Sequence, residues 1–251
     1  MSGHSHWATI RRKKGAADAK RGQVFTRLAR EIVIAAREGG SDPGSNMRLQ
    51  YAIDRARAQN MPKENIERAI KRGTGESKEG GSLEEVLYEG YGPHGIAIMI
   101  SVVTDNRNRA VAEIRHILNR FGGSMAEAGS VAWQFTRKAY FAFPAEGKNA
   151  DAVFELAVEA GAEDVTFDDE TVEIIGPVES FKEISDRLKA AGIVPEEAEL
   201  RLFPNSEVEL DTNEAVQVLK VVESLEELDD VQDVYSTLSI SDEVLAQLEA
   251  A

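Results

Sequence analysis

The order of hydrophobic patterns between residues 137 and 204 most restricts how this chain can fold. Two segments with a helical period of 3.6 residues alternate there with short runs of strand-forming residues, and Gly161 and Gly192 end the two helices. The predicted elements are a strand at 139–143, a helix at 149–160, a hairpin of strands at 165–167 and 172–175, a helix at 178–191 and a strand at 198–203. This βαββαβ order is that of a ferredoxin-like domain.

The first 78 residues carry helical patterns alone. The predicted helices run from Asp18 to Arg37, from Asn46 to Gln59 and from Pro62 to Gly73. The buried face of the first helix is predicted to consist of Val24, Phe25, Leu28, Ile32, Ala35 and Ala36. Residues 1–18 have little apolar periodicity and predict an arm, and residues 73–82 have the composition of a flexible linker.

The remaining segments predict a second α+β domain that is interrupted by the ferredoxin-like one. Its predicted elements are strands at 86–91 and 96–103, a helix at 106–121 capped by Asp105, a strand at 130–135, a helix at 212–224 and a strand at 231–240. The last two elements are too small to form a core alone, so they should complete the sheet begun at residue 86. The predicted fold is α+β with three domains, at 1–78, at 79–136 plus 205–251, and at 137–204 as an insertion.

Charge divides the chain into a basic end and an acidic body. The formal net charge is −15, yet residues 1–78 carry 17 Lys+Arg against 8 Asp+Glu, whereas residues 79–251 carry 12 against 36. Salt screens charges beyond about 8 Å at physiological ionic strength, so distant acidic domains barely cancel the basic end. The overall acidity therefore does not exclude nucleic acid as a partner.

The basic residues of the arm and first helix indicate phosphate binding. Lysines and arginines that meet phosphates release counterions, and an aromatic side chain among them can stack on an unpaired base. Arg27, Arg30 and Arg37 continue this charge along the helix face opposite the apolar one. The alternative is that Trp7 fills a groove and the charges only solvate the surface.

Arg107 and Arg109 are candidates for a different reason. They lie on the first turn of a predicted helix, where the helix dipole favours acids over arginines. An unfavourable local placement is typical of a functional site. The alternative is that they pair with Asp105 or Glu113. The candidate nucleic-acid-binding residues are His4, His6, Trp7, Arg11, Arg12, Lys13, Lys14, Lys20, Arg21, Arg27, Arg30, Arg107 and Arg109.

The sequence offers little for catalysis, metals or membranes. There is no cysteine, and His4 and His6 have no third ligand at a suitable spacing, so no metal site is predicted. The G-x-G-x-x-G match at 90–95 leads into a strand rather than a helix, which predicts a hairpin turn and not a dinucleotide loop. No apolar run is long enough to span a bilayer. We therefore expect a soluble, intracellular protein that has no cofactor.

Five stretches resemble the YebC family, whose eukaryotic relatives include the mitochondrial translational activator of cytochrome c oxidase. They are GHSHWA at 3–8, DAKRG at 18–22, NMPKENIERAI at 60–70, YEGYGP at 88–93 and TDNRNR at 104–109. His6, where many relatives carry Lys, and Arg12, where His is frequent, depart from the family pattern. The resemblance covers essentially the whole chain and implies a three-domain α+β fold and a cytoplasmic, non-enzymatic regulator of gene expression.

Two kinds of nucleic-acid target and one other function stay open from the sequence. The resemblance implies either a DNA-binding transcriptional regulator or a translation factor that binds RNA at the ribosome. Such translation factors include ones that act when the ribosome translates difficult proline-containing stretches. The leading hypothesis is a nucleic-acid-binding regulator whose arm and first helix bind phosphates of DNA or ribosomal RNA. The alternative from another class is an acidic adaptor that recruits a basic protein through residues 137–204.

Overall fold

The computed structural model describes residues 18–77, 83–168, 170–241 and 243–244, with side chains from Gly22 onward. Its helices are α1 (Asp18–Gly39), α2 (Met47–Ala58), α3 (Lys63–Gly73), α4 (Arg107–Arg120), α5 (Ala150–Glu159), α6 (Phe181–Ala190) and α7 (Thr212–Glu226). Its strands are β1 (Glu84–Tyr91), β2 (Ala97–Thr104), β3 (Ser124–Met125), β4 (Phe135–Pro144), β5 (Asp164–Phe167), β6 (Thr171–Pro177), β7 (Glu197–Pro204) and β8 (Val231–Ser236). The fold is α+β, as predicted. It forms two compact units, one of Thr136–Phe203 and one of the residues on either side.

Helices α1, α2 and α3 form the first part of the larger unit and confirm the three predicted helices. Leu28 and Ile32 of α1 pack with Leu49 and Ile53 of α2 in one buried cluster. The connection from α1 to α2 is fixed by the buried Asn46. Its Nδ2 donates to the carbonyl oxygens of Ala35 and Gly40, and its Oδ1 accepts the N–H of Leu49 as the cap of α2.

Gly73 ends α3 where that helix crosses α1. A Cβ at this position would lie 2.5 Å from the carbonyl oxygen of Val33 and 2.8 Å from the Cβ of Ala36. Only glycine allows this approach of the two helices.

The first sheet belongs to the same unit and has the strand order β3-β1-β2-β8. All its pairings are antiparallel. Helices α4 and α7 cover one face, where Ile98 and Ile100 of β2 pack with Ile114 of α4 and Val218 of α7. Because β8 pairs with β2, the prediction that the last strand completes this sheet is confirmed.

The second unit is a βαββαβ sheet with the order β5-β6-β4-β7. This is the ferredoxin-like order that the sequence predicts. Phe141 of β4 is buried, and its ring stacks on Phe181 of α6 with the ring centres 4.9 Å apart. Ile184 and Leu188 of α6 are also fully buried. The boundaries of the three predicted domains stay a prediction.

The predicted strand at 130–135 is wrong. Residues Ala132–Gln134 form a short 3₁₀ turn, and the side chain of Trp133 is 72% exposed rather than packed on a sheet. The backbone N–H groups that a strand would offer to a neighbour are instead bound by the carboxylate of Glu89 in β1. A polar side chain thus outcompetes a strand that the apolar alternation favours.

The predicted cap of α4 is also wrong by one residue. Asn106, not Asp105, caps the helix, since its Oδ1 accepts the N–H of Arg109 at 3.1 Å. The carboxylate of Asp105 is engaged by the Arg109 side chain at 3.0 Å.

Candidate nucleic-acid interface

The described residues contain four of the candidate side chains. His4, His6, Trp7, Arg11, Arg12, Lys13 and Lys14 lie outside the described residues, and Lys20 and Arg21 lie in the first turn of α1, where the backbone alone is described. Arg27 and Arg30 lie on α1, and Arg107 and Arg109 lie on the first turn of α4.

Arg30 and Arg109 meet at the carboxylate of Asp230, just before β8. Asp230 is 2% exposed, and its Oδ1 lies 2.8 Å from Nη2 of Arg30. Its Oδ2 accepts from Nη2 of Arg109 at 2.7 Å and from the Thr104 hydroxyl at 2.8 Å. Two arginines that are 79 positions apart in the sequence thereby share one buried anion.

The pKa of Asp230 is lowered in this cluster. Burial alone would raise the pKa, but the hydrogen bonds from Arg109 and Thr104 and the positive charge of Arg30 outweigh it. Asp230 is therefore an anion at neutral pH, and it attracts both guanidinium groups.

The same contacts attach α1 to the turn that precedes β8. Arg30 also donates from Nη1 to the carbonyl oxygen of Asp229. About two turns earlier on α1, the Gln23 side chain donates to the carbonyl oxygen of Glu227 at 3.2 Å. The outward face of α1 that the sequence predicts for phosphates is thus partly used to hold the helix against the sheet domain.

The arginines of the TDNRNR stretch also pair with carboxylates. Arg107 binds Glu84 at the start of β1 with an N–O distance of 2.5 Å, and Arg109 binds Asp105 as well as Asp230. The alternative of an internal ion pair is correct for Arg109 and Asp105, whereas the partner of Arg107 is Glu84 instead of Glu113. Contact of Arg30, Arg107 and Arg109 with nucleic acid stays a prediction.

Several other cations on the three helices have acidic partners within the chain. Arg48 bridges Glu38 and Glu85, and the further pairs are Arg55–Glu31, Arg57–Asp54 and Lys63–Glu67. Residues 22–77 carry 10 Lys+Arg against 7 Asp+Glu, whereas residues 1–21 carry 6 against 1. The positive excess of the basic end is therefore concentrated in the arm and the first turn of α1.

Glu89 in the YEGYGP stretch is a second buried anion that the sequence reasoning missed. Its carboxylate accepts N–H groups from Gly129 at 2.6 Å, from Val131 at 2.7 Å and from Ala132 at 3.0 Å. Burial raises its pKa, but these backbone hydrogen bonds outweigh that effect and lower it. The available signal was that Glu89 is the one charged residue in the predicted strand at 86–91.

The described part of the chain contains no helix that is long and apolar enough to cross a membrane. Within the same ranges, no three His, Asp or Glu side chains are grouped so that they could hold a metal ion.

Known proteins resemble this chain over nearly its whole length. The family model for the TACO1/YebC N-terminal domain matches residues 5–76, and that for the TACO1/YebC second and third domain matches residues 83–238. A protein of Acidithiobacillus ferrooxidans is 52% identical over 250 residues, which is 100% of this chain and 99% of the relative. One of Geotalea uraniireducens is 48% identical over 248 residues, 99% of this chain and 100% of the relative. Both are named "Probable transcriptional regulatory protein".

A solved structure shows the same fold. The conserved hypothetical protein Aq1575 of Aquifex aeolicus, known from a crystal structure, is 44% identical and superposes with a TM-score of 0.84. The match covers 91% of this chain and 94% of that one. The chain therefore belongs to the TACO1/YebC family.

Proposed function

We propose that this protein is a cytoplasmic, non-enzymatic regulator of gene expression that binds nucleic acid through its arm and the beginning of α1. The observation that carries the proposal is the charge distribution: six of the first 21 residues are Lys or Arg and one is acidic. The 10 cations at 22–77 are largely offset by 7 carboxylates in the same segment. The contacts that we assign to phosphates are those of Arg11, Arg12, Lys13, Lys14, Lys20 and Arg21, with Arg27 continuing the same helix.

The attachment of α1 gives the arm a fixed base. Arg30 and Gln23 bind the backbone of the turn before β8, so the helix from which the arm extends is held in one position. A fixed base lowers the entropy that is lost when the arm binds a polyanion. In this proposal Arg30 orients the interface, and the residues before it bind phosphate.

The names of the relatives favour transcription and hence DNA as the target. Phosphate binding by an arm is independent of base sequence, so it serves duplex DNA and ribosomal RNA equally well. We propose that the protein is a DNA-binding transcriptional regulator. The experiment below also tests the alternative, which is activation of translation through binding to ribosomal RNA.

Replacing Arg11, Arg12, Lys13 and Lys14 with Ala is the test of the arm. Six phosphate contacts give a slope of log affinity against log salt of about −4 to −5, and the removal of four should leave about −1.5 to −2. At 0.15 M KCl the affinity should fall at least about 100-fold. The measurement is fluorescence anisotropy of a labelled 20-base-pair DNA and a labelled 20-nucleotide RNA, titrated at several KCl concentrations.

The matched control removes four exposed lysines elsewhere, Lys63, Lys148, Lys182 and Lys189. This variant has the same net charge as the arm variant, so it reports the effect of overall charge alone. An arm variant with the affinity and slope of the control contradicts the proposal. A loss for RNA and none for DNA identifies the translation alternative.

A second candidate function, the acidic adaptor, has one favourable observation on α5. Phe154 and Val158 are neighbours one turn apart and are 53% and 49% exposed, with Asp151 and Glu155 beside them. Such a face suits an apolar segment with basic residues. Replacing Phe154 and Val158 with Ser should lower co-sedimentation with purified ribosomes several-fold in 0.5 M KCl, where arm contacts are screened. Unchanged co-sedimentation would contradict the adaptor hypothesis.

A further inference from the structure

Helix α4 concentrates positive charge within the acidic body. Residues 79–251 contain 12 Lys+Arg, and four of these lie on the 14 residues of α4. Glu113 is the one acid of this helix, and it is half-buried. No other helix in the described part of the body has such an excess of cations.

The two sides of α4 differ in chemistry. Ala110, Ile114, Ile117 and Leu118 are buried in the core of the first sheet. At 100° per residue, the opposite side carries Asn108, Ala112, Arg115, His116 and Asn119, and each of these residues is exposed. The exposed side of α4 thus presents guanidinium, imidazole and amide groups and no carboxylate.

Arg115 differs from the arginines at the beginning of the helix. Arg107 and Arg109 are held by Glu84, Asp105 and Asp230, and the Arg120 guanidinium lies 5.3 Å from the centre of the Phe121 ring. Arg115 makes no ion pair or hydrogen bond with its side chain anywhere in the described ranges. It lies near the middle of the length of α4, with Asn119 one turn further on.

The neighbouring helix α7 provides the contrast. Its exposed positions are Asn213, Gln217, Lys220 and Glu223, so they include one cation and one carboxylate and carry no net charge. The exposed side of α4 carries no carboxylate, although residues 79–251 contain 36 Asp and Glu. Its charge is therefore complementary to that of a polyanion. Guanidinium and amide groups side by side match phosphates and base edges, respectively.

We propose that the exposed side of α4 is a second nucleic-acid contact, separate from the arm, and that Arg115 binds a phosphate there. This inference rests on the proposed function for the class of ligand and adds a site in the sheet domain. Asn108 and Asn119 lie on either side of Arg115, where they contact the same strand of nucleic acid.

Replacing Arg115 with Ala tests this site in the full-length protein. One lost phosphate contact should reduce the salt slope by about 0.7 for single-stranded RNA or 0.9 for duplex DNA, and should weaken binding about 5-fold at 0.15 M KCl. Replacing Arg115 with Glu should weaken binding more strongly than Ala does. The probes are the labelled 20-base-pair DNA and the labelled 20-nucleotide RNA, followed by anisotropy at several KCl concentrations.

Lys189→Ala is the matched control, because Lys189 is an exposed cation on a helix of the other unit. Arg115 is exposed, so the midpoint of urea unfolding should be the same for both variants and for the wild type. Wild-type affinity and slope in both Arg115 variants overturn the inference, even where the arm variant loses binding and the proposed function stands. Loss in the Arg115 variants with none in the arm variant supports the α4 site and rejects the arm. A loss confined to one probe identifies that nucleic acid as the ligand of α4.

Discussion

Replacing Asp230 with Ala should lower the free energy of unfolding by about 3–5 kcal/mol, the range for removing one partner of a buried ion pair. The Asp230 side chain is 3% exposed, forms an ion pair with Arg30 and accepts hydrogen bonds from Arg109 and Thr104. Arg30, with a side chain that is 15% exposed, would stay largely buried without its counter-ion. Arg109 is 44% exposed and can turn to water, so most of the loss comes from Arg30. The measurement is urea unfolding followed by circular dichroism at pH 7.

The control for Asp230 is the exposed pair of Asp186 and Lys182 on α6. These residues pair at the (i, i+4) spacing and their side chains are 53% and 72% exposed. Asp186→Ala should therefore change the free energy of unfolding by less than about 0.5 kcal/mol. Equal effects of the two substitutions would show that the Asp230 cluster contributes no more than a surface ion pair.

The pH dependence of this effect has a definite sign. The folded state lowers the pKa of Asp230 below its ordinary value of 3.8, so the unfolded chain binds the proton more readily. The stabilisation is complete above pH 3.8 and is lost as the pH falls through the lower pKa of the folded state. The difference in stability between the wild type and Asp230→Ala should therefore shrink below pH 4 and be constant from pH 5 to 7.

Local sequence patterns were sufficient to predict the helices and the βαββαβ order of the ferredoxin-like elements. Apolar spacing and ending glycines depend on neighbours within a few residues, so the boundaries of α1 and α3 could be predicted to within two residues. Ion pairs do not depend on such neighbours. Arg109 and Asp230 are 121 positions apart, and the fold alone brings them together.

The candidate arginines show the limit of reading function from charge. An arginine without an acidic neighbour in the sequence can pair with a distant carboxylate as well as with a phosphate. Arg30, Arg107 and Arg109 all pair with carboxylates in the folded chain. The sequence pattern does not distinguish Arg115 from other surface arginines, because it lies within a regular helix. The burial of the opposite side shows that it faces solvent, and its side chain has no hydrogen-bond or ion-pair partner among the residues that the structure describes.

Trp133 shows the same limit for local structure. The alternation of Val131, Trp133 and Phe135 is typical of a strand, but the segment turns because the Glu89 carboxylate binds its backbone. Asn205 adds a hydrogen bond from its side chain to the carbonyl oxygen of Trp133 at 3.0 Å. The position of an exposed aromatic ring is thus determined by a buried anion that lies 44 residues earlier in the chain.

Replacing Glu89 with Ala should lower the free energy of unfolding by about 3 kcal/mol and release the turn that carries Trp133. The substitution removes the shared acceptor of three backbone N–H groups, of which that of Val131 is fully enclosed. A buried donor without an acceptor costs about 1–3 kcal/mol. In a Trp7→Phe background Trp133 is the one tryptophan, so its fluorescence anisotropy and its quenching by iodide report the turn directly.

The control for Glu89→Ala is Glu127→Ala, because Glu127 is an exposed carboxylate in the segment that precedes Trp133. It should change stability by less than about 0.5 kcal/mol and leave the Trp133 signal as in the wild type.

The pKa of Glu89 is lowered from its ordinary value of 4.5, so its stabilisation is present above that pH and is lost as acid protonates the folded state. The wild-type Trp133 signal should then approach that of Glu89→Ala as the pH falls through the lowered pKa of the folded state. A Glu89→Ala protein with wild-type stability and an unchanged Trp133 signal would mean that the turn keeps its shape without the carboxylate, and that the packing of Val131 is sufficient to hold it.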